Sequence, residues 1–155
     1  MSTIAETSLA SSSTRIRPAA LDDVDSVFTL LQQLGIGEAP NRETFQEAFA
    51  DAVRDAHDHI LLVADLDGAV AGYALTTVVR LLYTNGDSAQ LQELVVDAAA
   101  RHRGIGSKLV SAMEAECRKR GVRQLTVASI RAAAFYERLD YRSTADYLKK
   151  HFDTD

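Results

Sequence analysis

The chain has 155 residues, 46% of them hydrophobic and 25% charged, which suits a single soluble domain with one core. No apolar run approaches the ~20 residues of a membrane span, and a net charge of −5 lacks the basic footprint of a general nucleic-acid binder. The single cysteine, Cys117, rules out an internal disulfide and fits a reducing cytoplasm.

Residues 1–14 are rich in Ser, Thr and Ala and lack the basic start and apolar centre of a secretory signal, so they read as a disordered leader. Residues 15–150 read as one domain and 151–155 as a tail. Arg15–Arg17 predicts a short strand closed by Pro18. Asp22 or Asp23 can cap a helix whose apolar stripe is Val24, Val27, Phe28, Leu31 and Leu34, ending at Gly35. A second helix follows Asn41, with Phe45, Ala48, Phe49 and Ala52 on one face. Ile60–Ala64 is a continuous apolar strand, and Asp67-Gly68 is a hairpin turn into Ala69–Val79.

Asn85-Gly86 makes a second hairpin turn, into Gln90–Val96. From Gly104 a helix carries Ile105, Leu109, Met113 and Cys117 on one stripe, so Cys117 reads as a small core residue. Glu114–Arg118 and Glu116–Arg120 are expected i,i+4 pairs, and Gly121 ends the helix. A strand Leu125–Ala128, a short helix Ala132–Leu139 and a last strand Tyr141–Leu148 complete the expectation. The order is β-α-α-β-β-β-α-β-α-β, an α/β fold with a mixed central sheet and helices on both faces. His57 and His59 flank Asp58, but no other His or Cys has matching spacing, so no metal is expected.

Between Arg101 and Arg123 stand seven basic residues against Glu114 and Glu116. Such a segment can attract a small polyanion, or simply form a solvated helix face. Within it, the run from Leu91 to Leu109 carries the chemistry. A buried strand enters a turn with two glycines, and a helix starts at the second. The first N–H groups of a helix lack internal partners, and its dipole favours an anion there. Arg101 and Arg103 can add charge-assisted bonds, which makes a phosphate site. A Walker loop has no match here, and a dinucleotide fingerprint fails because Leu109 stands where a third glycine belongs. The pattern Arg/Gln-x-x-Gly-x-Gly/Ala fits as Arg101-His102-Arg103-Gly104-Ile105-Gly106. The same six residues also suit a tight strand–helix turn that holds no ligand.

Arg-His-Arg-Gly-Ile-Gly-Ser-Lys-Leu after a Leu-Val-Val strand resembles the acetyl-CoA motif of the GNAT superfamily of N-acetyltransferases. Ala134-Phe135-Tyr136-Glu137-Arg138-Leu139-Asp140-Tyr141 resembles that superfamily's Phe-Tyr-Glu-x-Leu-Gly-Phe/Tyr segment. The Ile16-Arg17-Pro18-Ala19 opening and the element order agree, so the resemblance spans residues 15–148. It implies a GNAT-like fold and transfer of an acetyl group from acetyl-CoA directly to an amine acceptor, with no acyl-enzyme. Many members of the family form homodimers.

By that resemblance, the turn from Arg101 through His102, Arg103, Gly104, Ile105, Gly106 and Ser107 cradles the pyrophosphate. Leu94, Val95 and Val96 lie along the pantetheine arm, and a strand N–H polarises the thioester carbonyl. Ser129 and Phe135 stand at cofactor-contacting positions, Ser129 replacing a common asparagine. Tyr136 matches the tyrosine assigned as the acid for the departing thiolate, though as a residue it also reads as a core aromatic. Members that use a strand carboxylate as base carry it where Gln90 or Gln92 stands here. Strict alternation puts Gln90 and Gln92 on the face of Leu94 and Val96, and Glu93 with Leu91 and Val95. Glu93 is therefore a base only if a bulge turns it towards the acceptor or if it works through a water. Asp140 replaces a glycine in a turn that can require positive φ, which Asp tolerates.

An N-acetyltransferase acting on a small-molecule or protein amine is the leading expectation. The missing glutamate at Gln90 and Gln92 leaves a non-catalytic acyl-CoA-binding regulatory domain as the alternative. An unrelated α/β interaction domain would bind no CoA at all.

Overall fold

The structure, a computed structural model, describes residues 13–153. The expected leader thus falls outside the described residues up to position 12, and the last two tail residues do as well. Strand β1 (Thr14–Pro18) opens the fold, one residue ahead of the expected start. A 3-10 turn, Leu21–Asp23, leads into α1 (Val24–Leu31), and α2 (Arg42–Arg54) follows. Asn41 caps α2 as expected, its side-chain oxygen accepting from the Thr44 N–H at 3.0 Å.

Strands β2 (His59–Leu66), β3 (Ala69–Leu81) and β4 (Gly86–Val96) form an antiparallel meander with β1 at its edge. Helix α3 (Ile105–Lys119) then crosses over to β5 (Gln124–Val127), which pairs with β4 in parallel, and α4 (Ala133–Glu137) follows. The sheet is mixed, ordered β1-β2-β3-β4-β5. Helices cover both faces. Val27 and Leu30 of α1 and Phe49 and Ala52 of α2 pack on Leu61, Val63, Tyr73 and Val95. On the other face Ile105, Leu109, Val110, Met113 and Cys117 of α3 pack on Leu62, Ala74 and Leu91. Cys117 is a core residue, and burial pushes its thiol up.

One glycine decides how closely α3 seats. A Cβ on Gly72 of β3 would stand 2.9 Å from the Val95 carbonyl oxygen and 3.2 Å from Leu109 Cδ1. The bare backbone there lets the first turns of α3 lie directly on the sheet.

Two expectations need correction. Glu114 does not pair with Arg118; its carboxylate accepts from the Tyr141 hydroxyl at 2.8 Å, a long-range contact that helix spacing cannot show. The Glu116–Arg120 pair forms at 3.1 Å, and Arg120 also donates to the Ala56 carbonyl. The expected last strand, Tyr141–Leu148, is absent, and the sheet has five strands rather than six. Tyr141 is held by α3 and by the Tyr136 ring, and residues 142–153 are exposed and in no strand. Strand propensity becomes a strand only where a ladder forms, and residues 141–148 form none although no described residue pairs with the outer side of β5. Asp140 does adopt the left-handed conformation, with φ 70°.

Candidate active site

The site is built where β4 and β5 part. Their pairing runs from Ser88↔Gln124 to Leu91↔Val127 and stops. At that point the register of β4 on β3 shifts: Leu75 faces Glu93 and Thr76 faces Leu91, so Gln92 is an extra residue, a β-bulge. The bulge bends β4 away from β5 and opens a cleft of about 440 Å³ between them. Beyond Leu91, the main-chain groups of β4 that point away from β3 have no strand partner and line this cleft.

The bulge also overturns the alternation read from sequence. Leu91 now shares the α3 face with Leu94 and Val96, while Val95 lies on the opposite face, under α1 and α2. Glu93 is on the Val95 side, where the buried Tyr73 hydroxyl donates to its Oε1 at 2.7 Å. Burial and the adjacent carboxylate raise the Tyr73 pKa well above the ordinary phenol value, so it remains a donor to Glu93. Glu93 lines the cleft. Gln92 does so too, but its amide is held by Thr77 Oγ1 at 2.9 Å.

Other elements close the walls. Gln33, Leu34 and Ile36 reach in from the end of α1 and the loop after it, and Val127–Ala132 from the end of β5. The two walls are tied together where Arg131 donates to the Leu34 carbonyl at 3.2 Å. Gln33 accepts from the Ala98 N–H at 3.0 Å, fixing the exit of β4. Tyr136 forms part of the cleft wall, 8% exposed, edge-on to Phe135 and Tyr141. Burial pushes its phenol pKa up, and its hydroxyl has no hydrogen-bond partner among the described residues.

The turn after β4 has the geometry of an anion cradle. His102 and Gly104 are both left-handed, with φ 65° and 75°. Alternating conformations of this kind turn successive N–H groups to one side. Lys108 N–H closes the first turn of α3 on the Gly104 carbonyl at 3.1 Å, which leaves the N–H groups of Ile105, Gly106 and Ser107 without intramolecular acceptors. A Cβ on Gly104 would meet nothing within 4 Å, so that side of the turn is open. A Cβ on Gly106 would touch Phe135 Cζ at 3.4 Å and Val96 at 3.8 Å, a contact rather than a clash, which is why glycine or alanine suits this position.

The sequence-derived site residues divide by this geometry. Glu93, Leu94, Val95, Val96, Arg101, Ser129 and Tyr136 come together around the cleft. Arg101 donates from Nε to the Val96 carbonyl at 3.4 Å, standing where strand meets turn. His102 to Ser107 continue from it along the cradle, with Arg103 exposed. Phe135 does not line the cleft; it props the start of α3 from below. Ser129 is on the cleft wall, but its hydroxyl accepts from the Ala132 N–H at 3.0 Å and so holds the entry to α4. Sequence reasoning missed Tyr73, Gln33 and Arg131. Tyr73 looked like one more apolar strand residue, and nothing local marks the other two. Among the described residues no three His, Cys, Asp or Glu side chains are grouped as a metal-ligand set, and none of the described helices is long and apolar enough to cross a membrane.

Comparison with known proteins agrees with this geometry. The profile of the acetyltransferase (GNAT) family matches residues 24–141. Glucosamine 6-phosphate N-acetyltransferase 1 of Oryza sativa subsp. japonica is 34% identical over 112 residues, which cover 69% of this chain and 67% of that protein. A transcriptional regulator from Bacillus halodurans C-125 superposes with a TM-score of 0.82 at 25% identity, covering 90% of this chain and all of the other. The aminoglycoside N-acetyltransferase AAC(6')-Iy, solved in complex with CoA, superposes with a TM-score of 0.75 at 15% identity, covering 92% and 96% of the two chains. The chain belongs to the GNAT acetyltransferase family, and its activity is that of an acyltransferase, N-acetylation.

Proposed function

We propose that the chain binds acetyl-CoA across the Arg101–Ser107 turn and the free edge of β4, and transfers its acetyl group directly to a primary amine held in the β4/β5 cleft. One observation carries the reading. The bulge at Gln92 gathers an unpaired strand edge, a helix start with three free N–H groups, a carboxylate and a phenol around a single opening.

Each residue then has a role its surroundings support. The N–H groups of Ile105, Gly106 and Ser107, with Arg101 and Arg103, hold the pyrophosphate. Leu94, Val95 and Val96 pair through their main chain with the pantetheine arm, and an N–H among them stabilises charge on the carbonyl oxygen. Glu93, oriented by Tyr73, takes the proton of the acceptor ammonium, directly or through a water. Tyr136 hydrogen-bonds the departing sulfur. Cys117 lies in the core under α3, away from the cleft, which fits direct transfer without an acyl-enzyme.

The glucosamine 6-phosphate acceptor in the rice relative's name makes that amine the first to test. The lone, buried thiol supports a reducing, cytoplasmic setting. Full-length protein with acetyl-CoA and a panel of amines, scored for free thiol, tests the reading. Acceptor-dependent thiol release is expected. Saturable acetyl-CoA binding with no such release would instead support the non-catalytic acyl-CoA-binding alternative, and no binding at all would overturn both.

A further inference from the structure

Three charged side chains line the cleft: Arg101 where β4 meets the turn, Glu93 just beyond the bulge, and Arg131 on the loop after β5. Arg101 stands beside the anion cradle and serves it. Glu93 and Arg131 are left for the acceptor.

These two come from opposite walls but reach the same side of the sheet. Glu93 is held by Tyr73, which belongs to the cluster under α1 and α2. Arg131 ends on the Leu34 carbonyl, and Leu34 packs on that same cluster. That single bond is the only one Arg131 makes among the described residues, and no carboxylate there pairs with it. Gln33, next in sequence to Leu34, adds a second donor to the cleft wall. The Ala98 N–H can only donate, so it fixes the Gln33 amide oxygen and leaves the amide NH2 without a partner among the described residues. A guanidinium carries five donors and no acceptor, in a fork that matches a carboxylate or a phosphate.

We infer that Arg131, assisted by the Gln33 amide, recognises an anionic group on the acceptor, so the substrate class is an amine that also carries a phosphate or a carboxylate. This rests on the proposed acetyl transfer and names the acceptor class for it. Such an amine meets both charges at once, its ammonium at Glu93 and its anion at Arg131. A simple amine leaves the guanidinium unmatched, and a polyamine meets repulsion there. The bond to Leu34 holds the guanidinium before the acceptor arrives, which reduces the ordering cost of binding.

Initial rates of acetyl-CoA-dependent thiol release by the full chain, with two matched pairs of amines, test this. Glucosamine 6-phosphate against glucosamine reads a phosphate, and β-alanine against β-alaninamide reads a carboxylate. The wild type should favour the anionic member of at least one pair by about tenfold in kcat/KM, mainly through KM, the effect of one charge-assisted hydrogen bond at an exposed arginine. Arg131→Gln should lower that preference about tenfold, and Arg131→Lys should lower it less. Differences in amine basicity cancel in this change of ratio. If Arg131 only ties the walls, Arg131→Gln slows both members of a pair alike, the ratio holds, and the inference falls. A wild type that prefers neither anion overturns it too, while thiol release would still uphold the transferase reading. If no amine is acetylated, that reading fails, and equilibrium binding of glucosamine 6-phosphate and of β-alanine in the presence of CoA decides the subsite. A Kd weakened about tenfold by Arg131→Gln supports it, and equal Kd values or no binding overturn it.

Discussion

The Tyr73 hydroxyl donates to Glu93 Oε1 at 2.7 Å across the β3–β4 pair, one residue beyond the bulge at Gln92. Burial and that carboxylate raise the Tyr73 pKa, so the phenol keeps its proton and stays a donor to Glu93. It fixes one carboxylate oxygen and leaves the other for the cleft.

Glu93→Gln keeps the shape and the Tyr73 contact while removing the basic oxygen. With Glu93 as base, the loss in kcat is expected within the ~10²–10⁴-fold range of general-base removal, and raising the pH should partly relieve it. Steady-state rates with a working acceptor between pH 6 and 10 read this out. A loss below tenfold at every pH would assign proton removal to solvent.

Gly104→Asp examines the anion cradle. The left-handed backbone at position 104 suits Asp better than most residues, and a Cβ there meets open space, so the variant should fold. Its carboxylate would stand beside the three free N–H groups and repel a pyrophosphate. Acetyl-CoA at a hundredfold excess over Kd should stabilise the wild type by ~2.7 kcal/mol, and the shift should vanish in Gly104→Asp. An unchanged thermal shift would move the cofactor elsewhere.

Arg17 and Asp23 govern acid stability. Arg17 donates to both oxygens of Asp23, at 2.8 and 2.9 Å, and the Ala20 N–H adds a third bond at 2.7 Å. The Arg17 hydrogen bonds, foremost among the causes, hold the Asp23 carboxyl below the usual range. A carboxyl depressed in the folded state binds its proton more readily when unfolded, so its stabilisation is complete above about pH 4 and fades as pH falls through the folded value. Asp23→Asn should lower stability by about 1–3 kcal/mol at pH 7 and flatten the acid limb of the stability profile. Denaturant titrations from pH 2.5 to 7 would show a parallel profile if the pair were inconsequential.

Much of the framework was legible because it is written in local chemistry. Asp67-Gly68 and Asn85-Gly86 set the hairpins, Asn41 caps α2, and Gly104 and Gly121 bracket α3 within a residue or two. The Arg101–Gly106 strand-to-helix turn was legible for the same reason: its two glycines fall within six residues. The face of Leu91 was not. Strict alternation assumes every residue has a partner across the ladder, and Gln92 has none. One inserted residue reversed the parity of Leu91 relative to Leu94, and nothing in Gln90-Leu91-Gln92-Glu93 announces it. The Tyr73 contact and the Tyr141–Glu114 contact, 20 and 27 residues apart in sequence, depend on strand pairing and helix seating that no local pattern encodes. The missing sixth strand is the converse case: the residues carry the propensity, but they pair with no strand among the described residues.

Tyr136→Phe separates packing from chemistry at the cleft wall. The ring is held edge-on by Phe135, with centroids 5.0 Å apart, and by Tyr141 at 5.7 Å, contacts a phenylalanine retains. No described residue partners the hydroxyl, so its removal should change stability by less than about 0.5 kcal/mol. An ordinary phenol, near pKa 10, already protonates a formed thiolate of pKa about 8.5 only uphill. Burial raises the Tyr136 pKa further and makes full proton transfer harder still. The phenol therefore acts as a hydrogen-bond donor that strengthens as charge grows on sulfur. Such an interaction belongs mainly to the transition state, so kcat should fall roughly 10–10³-fold with KM for acetyl-CoA nearly constant. The kcat loss should shrink with thioesters whose leaving thiol is more acidic, because less charge then needs stabilising. Equal losses across such a series would tie the defect to positioning of the thioester, and normal turnover with chemistry rate-limiting would leave Tyr136 as a packing residue.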